Sequence, residues 1–362
     1  MFQNLSGLRH ILSSRGVARA LLVVLGLSIS LCLWVARTPL PDPPPSRAHP
    51  PGTTDAGLYR AIVARVRNGQ DYESAAVAEH RRLGYPLHPF VVVRPPALAT
   101  LLAGLPQVGY AILLYAVLAL AVVVVWWRRI ATSSEDLKRR RLFLIAGLLS
   151  GLAVALFTSP ATTYFTETWS GLLITLTLGL RTDQRYLASV LTGLAAGILR
   201  ELAIPFLGLM AVLAISERRR GEGAAFFAAM IFALALLANH GLKVNALAAP
   251  QDLASPGWVK FGGLAFVLKA VNLNVASSAF GLWLTAVLAP LSLFGACAWG
   301  GETGRRLFAT LGAYLVAFSI IGRPENDYWG FLIAPLVGLC AAAGPFVAAN
   351  LFRIATKSSV AN

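Results

Sequence analysis

Acidic residues are scarce in this chain: 16 Asp and Glu stand against 31 Lys and Arg, and charged residues make up only 13% of the 362. A soluble protein of this length needs far more polar surface to cover itself, so the scarcity excludes an ordinary soluble fold. Cysteine is scarcer still. Cys32, Cys297 and Cys340 all sit in apolar runs, without CxxC or any comparable spacing. That excludes a disulfide framework and a cysteine metal site, and the three read as small core residues. No internal repeat is evident, which weighs against a transporter built from duplicated halves.

Apolar sequence fills the space that charge leaves. The chain is 57% hydrophobic with a mean hydropathy of +0.67, the composition of an integral membrane protein. The net charge of +15 is spread as short clusters between apolar runs rather than gathered on one domain. Such scatter lacks a nucleic-acid footprint. It fits orientation by the positive-inside rule and contact with anionic membrane lipid.

The expected fold is all-α, a polytopic bundle of about ten spans with short amphipathic helices in a large outer loop after the first span. Residues 1–16 form a short basic cytoplasmic N-terminus and 17–36 a first span, longer than the apolar core of a signal peptide and with no clear cleavage site. Residues 37–106 form the outer loop, 107–351 the helical bundle and 352–362 a cytoplasmic tail. The proline-rich run RTPLPDPPPSRAHPPGTT opens the loop as an extended spacer. Tyr59, Ile62, Val63 and Val66 then recur at helical spacing, Asn68-Gly69 ends that helix, and Tyr72–Leu83 reads as a second one. Pro95-Pro96 open an apolar segment that ends at Pro106. Further on, Tyr186–Ser216 is long enough for two short helices hinged at Arg200-Glu201, and Lys243–Ser278 reads as a weakly amphipathic outer segment.

Placing the N-terminus in the cytoplasm puts every arginine cluster on that side. Glu135, Asp136, Asp183, Glu217, Glu222 and Glu302 then fall among cytoplasmic arginines and read as solvated charges. Asp42, Asp55, Asp71, Glu73, Glu79, Glu167, Glu201, Asp252, Glu325 and Asp327 fall on the outer side, which makes that the working face. Charges at the mouths of spans need partners and are functional candidates. Four outer clusters qualify: the loop of Asp55, Asp71, Glu73, Glu79 and Arg94; Glu167 in TYFTETWSG; Arg200-Glu201 in GILRELAIP; and Arg323, Glu325, Asn326 and Asp327 in GRPENDYWG. Loops from four parts of the chain would then converge on one outer cavity.

Each candidate also has a bland reading. Arg200-Glu201 reads equally as a structural ion pair, Glu167 as a charge at its helix N-terminus, Asp55 as an N-cap, and GRPENDYW as a polar interfacial turn. His80 and His88 have no metal-partner spacing and read as polar surface.

The order of features resembles the GT-C class of polytopic glycosyltransferases, and its bacterial family 87-like members in particular. The residues that carry this are Asp55 with Tyr59 a turn later, the G-x-D-Y of Gly69 to Tyr72, the prolines Pro86, Pro95 and Pro96, LRELAIP, and RPENDYWGFLIAPL. The resemblance implies a polyprenyl-phosphate-linked sugar donor, a glycan or lipid acceptor, and transfer at the outer face of a bacterial inner membrane. It implies a carboxylate base in an inverting displacement at Asp55, with Asp71, Glu73 and Glu79 left as alternatives for a second acid. Tyr59, Arg94, Glu167, Arg200, Glu201, Arg323 and Asn326 become candidate substrate-binding residues. The chemistry fits these residue types: a carboxylate can take the acceptor's proton as the bond forms, and arginines can hold the departing lipid phosphate. No cofactor is called for, and no metal-ligand pattern is present. The competing readings are a transporter or flippase of an amphipathic substrate, and a noncatalytic subunit of envelope polysaccharide assembly.

Overall fold

A computed structural model describes residues 14–38, 54–130, 135–157, 160–182, 185–272 and 275–356. The proline-rich spacer with Asp42, the cytoplasmic acid Asp183, and the ends of the chain lie outside the described residues. The described chain is helical, without strands. In order its helices are α1 (Arg15–Arg37), α2 (Asp55–Arg67), α3 (Tyr72–Leu83), α4 (Ala97–Gly104), α5 (Val108–Arg129), α6 (Glu135–Phe157), α7 (Thr166–Leu180), α8 (Leu187–Leu199), α9 (Ile204–Ser216), α10 (Arg220–Leu247), α11 (Gly263–Val271), α12 (Val275–Cys297), α13 (Gly301–Ile321) and α14 (Ala334–Thr356). Short 3-10 segments at Phe90–Val92, Pro160–Tyr164, Glu201–Ala203 and Pro324–Leu332 join some of them.

Among the described residues, six helices are long and apolar enough to cross a membrane: α1, α5, α10, the Phe280–Cys297 part of α12, α13 and α14. The sequence-based expectation was about ten. Helices α8 and α9 are apolar but have 13 residues each. At 1.5 Å per residue such a helix covers about 20 Å of a hydrocarbon core about 30 Å thick. Helix α5 shows how the long ones meet their surroundings. Ala111, Tyr115, Ala119 and Val122 are buried along one stripe, while Leu113, Val117 and Leu120 are 55–61% exposed on another. A helix that is apolar on its exposed face as well as its buried one is suited to lipid rather than water.

The chain divides into two compact units. One comprises residues 1–41, 123–154 and 259–362. Its central helix is α14: 56% of the apolar window of α14 is buried, against 17% for α1. Ala18 of α1 packs on Leu351 and Ala355 of α14, and Ala18, Leu25 and Cys32 are buried at seven-residue spacing. Helices α6 and α12 reach α14 through glycines. A Cβ on Gly295 would lie 1.8 Å from the Cys340 carbonyl oxygen, and one on Gly151 2.3 Å from that of Ala334. Cys297, expected in the core, is instead exposed on the surface of α12, while Cys32 and Cys340 are buried.

The other unit comprises residues 42–122 and 155–258 and holds most of the candidate residues. Its centre is α7, in which every residue from Thr166 to Gly179 is buried. Helix α8 packs along it, and α9 and α10 pack on α8 and on each other. Helices α2 and α3 form as their sequence dictates. Thr54 caps α2 by accepting from the Gly57 amide at 3.1 Å, and Asp71 caps α3 by accepting from the Ser74 amide at 3.2 Å. Gly84, at φ 71°, ends α3 in the left-handed conformation that glycine adopts without strain. Leu58, Ile62, Tyr72, Ala75, Ala76 and Val77 bury the apolar faces of the pair in one cluster with Leu87, Val93 and Val244. The segment expected over Lys243–Ser278 starts inside α10, runs through a loop, and includes α11.

The glycine contacts give a stability test. Gly295→Ala forces a methyl group into a backbone carbonyl and should lower the thermal unfolding midpoint in detergent. Gly312→Ala, on α13 with nothing within 4 Å of its Cβ position, should leave the midpoint unchanged or raise it. Equal behaviour of the two variants would rule out the close helix crossing as the cause.

Candidate functional site

Three of the four expected clusters meet in the unit centred on α7. Arg94 immediately precedes Pro95, which restricts it to extended backbone, and α4 starts only after Pro96. Glu167 sits in the first turn of α7, where the helix dipole favours a carboxylate. Arg200 is the C-cap of α8, and Glu201 opens the 3-10 turn between α8 and α9. The hinge expected at these two residues is present.

These four side chains form one charge cluster. Arg200 Nε lies 2.8 Å from Glu167 Oε1, and Arg200 also pairs with Glu201. Arg94 approaches the same two carboxylates at 3.6 Å and 3.9 Å. Its Nε donates to the Tyr59 hydroxyl at 3.1 Å. Glu167 has no exposed surface and Arg200 only 1%. Burying either ion alone would cost several kcal/mol, so two arginines against two glutamates is the composition that burial demands. Glu201 Oε2 is also buried and makes no hydrogen bond among the described residues.

Arg94 alone of the four faces a small open cleft, and it is the one charged residue lining it among the described residues. The walls come from Tyr59, Ile62 and Val63 of α2, Leu98 and Leu102 of α4, and Tyr164 beside the start of α7. A guanidinium at an otherwise apolar wall acts on its surroundings more strongly than one in water. Asp55 lies one turn before Tyr59 on α2. The cap is Thr54, so Asp55 is not the N-cap. It is half-buried, and its Oδ1 accepts from the Tyr85 hydroxyl at 3.0 Å. No hydrogen bond to Oδ2 is present among the described residues.

The other acids of the loop are engaged in structure. Asp71 caps α3. Glu79 is buried between Arg65 and Arg82. Burial opposes its charge, but hydrogen bonds from Arg82 and Arg65 outweigh that and hold its carboxyl below the usual range. Neither lines the cleft. Glu73, grouped with them as an alternative, is 5% exposed at its side chain and faces His240 of α10. His240 ended an apolar run in the sequence, and nothing in that run marked its partner. His80 is buried, not at the surface. Burial pushes its pKa down to about 4, a hydrogen bond to the Pro86 carbonyl opposes that, and the charge of Arg94 adds to it. His88 reaches the Ala249 carbonyl at 3.0 Å.

Two further readings change. Glu217 and Glu222 are not solvated: Arg181 approaches them at 3.4 Å and 3.1 Å, with both carboxylates 1% exposed. The C-cap of α9 and the first turn of α10 bring these two carboxylates to Arg181 at the end of α7. The fourth cluster, Arg323 and Asn326, belongs to the other unit. There Arg323 Nε lies 3.2 Å from Asn326 Oδ1 and 3.0 Å from Glu325, while Lys269 donates to the Pro324 carbonyl at 2.6 Å and pairs with Asp327 at 3.4 Å. Among the described residues no group of three or more His, Cys, Asp and Glu could hold a metal ion. Comparison of the chain with family models, curated proteins and solved structures finds no match.

The cleft-bearing loop is tied to the loop after α10 by Arg81, whose Nε and Nη2 donate to the two oxygens of Asp252 at 2.8 and 2.7 Å. The Arg81 hydrogen bonds are the main cause that lowers the Asp252 pKa from 3.8 to about 2. A carboxyl depressed in the folded state stabilises it above the unfolded pKa and loses that contribution as pH falls. Hydrogen exchange across residues 249–255, corrected for intrinsic rates, should therefore stay slow down to about pH 4 and accelerate toward about pH 2. In Asp252→Asn it should already be fast at neutral pH. Slow exchange in that variant would remove the tie.

Proposed function

We propose that this protein is a membrane glycosyltransferase that moves a sugar from a polyprenyl-phosphate donor to an acceptor hydroxyl at the outer face of the membrane. One observation carries the reading. A half-buried carboxylate, Asp55, is oriented by Tyr85, has no hydrogen bond to its second oxygen among the described residues, and lies one helical turn from an apolar cleft that presents a guanidinium. A base for the acceptor and a cation for the leaving phosphate are the two groups that inverting transfer from a lipid phosphate requires. The order of Asp55, Tyr59, G-x-D-Y and LRELAIP, which resembles GT-C enzymes, supports the same assignment.

In this reading Asp55 takes the proton of the acceptor hydroxyl as that oxygen attacks the anomeric carbon. The bond from that carbon to the donor phosphate breaks, and Arg94 stabilises the charge left on the phosphate. Apolar residues of α4 lie beside the polyprenyl chain. Glu167, Arg200 and Glu201 hold Arg94 in place. About ten spans, an outward-facing site and a bacterial inner membrane belong to the same proposal.

The test is transfer of labelled sugar from a polyprenyl-phosphate donor by the purified protein in nanodiscs. Asp55→Asn should cut turnover by about 10²- to 10⁴-fold with polyprenyl-phosphate affinity unchanged. Arg94→Ala should weaken that affinity. Asp71→Asn should keep activity, because asparagine caps a helix about as well as aspartate. Full activity of Asp55→Asn would end the assignment, and lipid movement across the bilayer without sugar transfer would point to a flippase.

A further inference from the structure

We infer that His240 and Glu73 are a positioning pair that fixes the backbone on which Arg94 is mounted; this rests on the reading of Arg94 as the group that meets the donor phosphate. Residues 93–94 lie in neither helix nor strand, so their carbonyls need partners from elsewhere. Two side chains supply them. His240 Nε2 lies 3.1 Å from the Val93 carbonyl oxygen, and the Tyr72 hydroxyl donates to the Arg94 carbonyl at 2.7 Å. The other ring nitrogen of His240 lies 3.3 Å from Glu73 Oε1.

The surroundings hold the ring in this orientation. Tyr72 and Phe90 pack at 6.0 and 6.5 Å between ring centres. Gly241 lets Phe90 in, since a Cβ there would fall 2.9 Å from the Phe90 ring. The charged groups near the pair are Lys243, on α10 with His240 and 3.8 Å from Glu73 Oε2, and Arg94, the residue after Val93 in the held segment. Both ring nitrogens face oxygen acceptors, so the two contacts need two protons shared between the ring and the carboxylate. Glu73 thus fixes the ring that holds Val93. The long helix α10 is thereby fastened to the peptide unit of Val93, while α3 holds that of Arg94 through Tyr72. Arg94 spans from there to Tyr59, Glu167 and Glu201, and displacement of a substrate-contacting group by about 1 Å can cost about 10²-fold in rate.

The experiment compares wild type, His240→Ala, His240→Gln and Arg94→Ala in nanodiscs. It reads polyprenyl-phosphate affinity, hydrogen exchange over residues 92–99, and the unfolding midpoint. His240→Ala should weaken binding by about five- to tenfold, the loss of about one buried hydrogen bond, and speed exchange over that segment. His240→Gln, whose amide N–H stands near the position of Nε2, should restore slow exchange and bind within about twofold of wild type. Wild-type exchange in His240→Ala would overturn the inference, as would equal losses in the alanine and glutamine variants that follow their unfolding midpoints. If Arg94→Ala binds like wild type, the reading of the cleft fails instead. The exchange comparison then still decides whether His240 holds the segment.

Discussion

A carboxylate and a guanidinium that are both fully buried constrain everything placed near them. Glu167 and Arg200 are such a pair, 0% and 1% exposed, and they sit where the start of α7 meets the end of α8. Each ion would be costly to bury without the other, so the two helix ends must come together for the unit to fold. The remaining charges follow from that. Glu201 adds a second negative charge beside Arg200, and this leaves a place for one more cation. Arg94 fills it from a different part of the chain. A neutral set of four thus holds a guanidinium at the wall of an apolar cleft, where a single arginine would otherwise prefer water.

Much of the helical framework was legible in the sequence because local signals agreed with the tertiary outcome. The spacing of Tyr59, Ile62, Val63 and Val66, the stop at Asn68-Gly69, and the limits Tyr72–Leu83 all reappear in α2 and α3. The hinge at Arg200-Glu201 does too, since an Arg-Glu pair between two apolar runs has few other places to be. Span counting was less secure. Hydropathy reports that a segment is apolar, and α8 shows that an apolar segment can be too short to cross. Central position in a bundle and immersion in lipid leave the same mark on composition.

Partners were the part that sequence could not supply. Asp55, Asp71, Glu73 and Glu79 look alike as a list of acids in one loop. Asp71 spends its oxygen on Ser74, Glu79 is neutralised by Arg65 and Arg82, and Glu73 turns to His240. Asp55 keeps an oxygen without a hydrogen bond among the described residues. Glu217 and Glu222 looked solvated because arginines neighbour them in sequence. Arg181, which draws them inside, is some 40 positions from either. Separations of that size carry no local pattern.

The separation of these roles has a chemical consequence for the proposed reaction. A base must remain available to a hydroxyl, whereas a cation that meets phosphate must be held still. Asp55 has one anchor among the described residues, Tyr85, at the start of α2, and no hydrogen bond there to its second oxygen. Arg94 has the opposite surroundings: a tyrosine on its Nε, two carboxylates within 3.9 Å, and a carbonyl gripped by Tyr72. Electrostatic stabilisation works when the charge is fixed before the reaction starts, so that no reorganisation is needed as charge develops. The buried acids therefore serve the proposed chemistry without touching the substrate, by keeping the one cleft-facing arginine from following its ligand out.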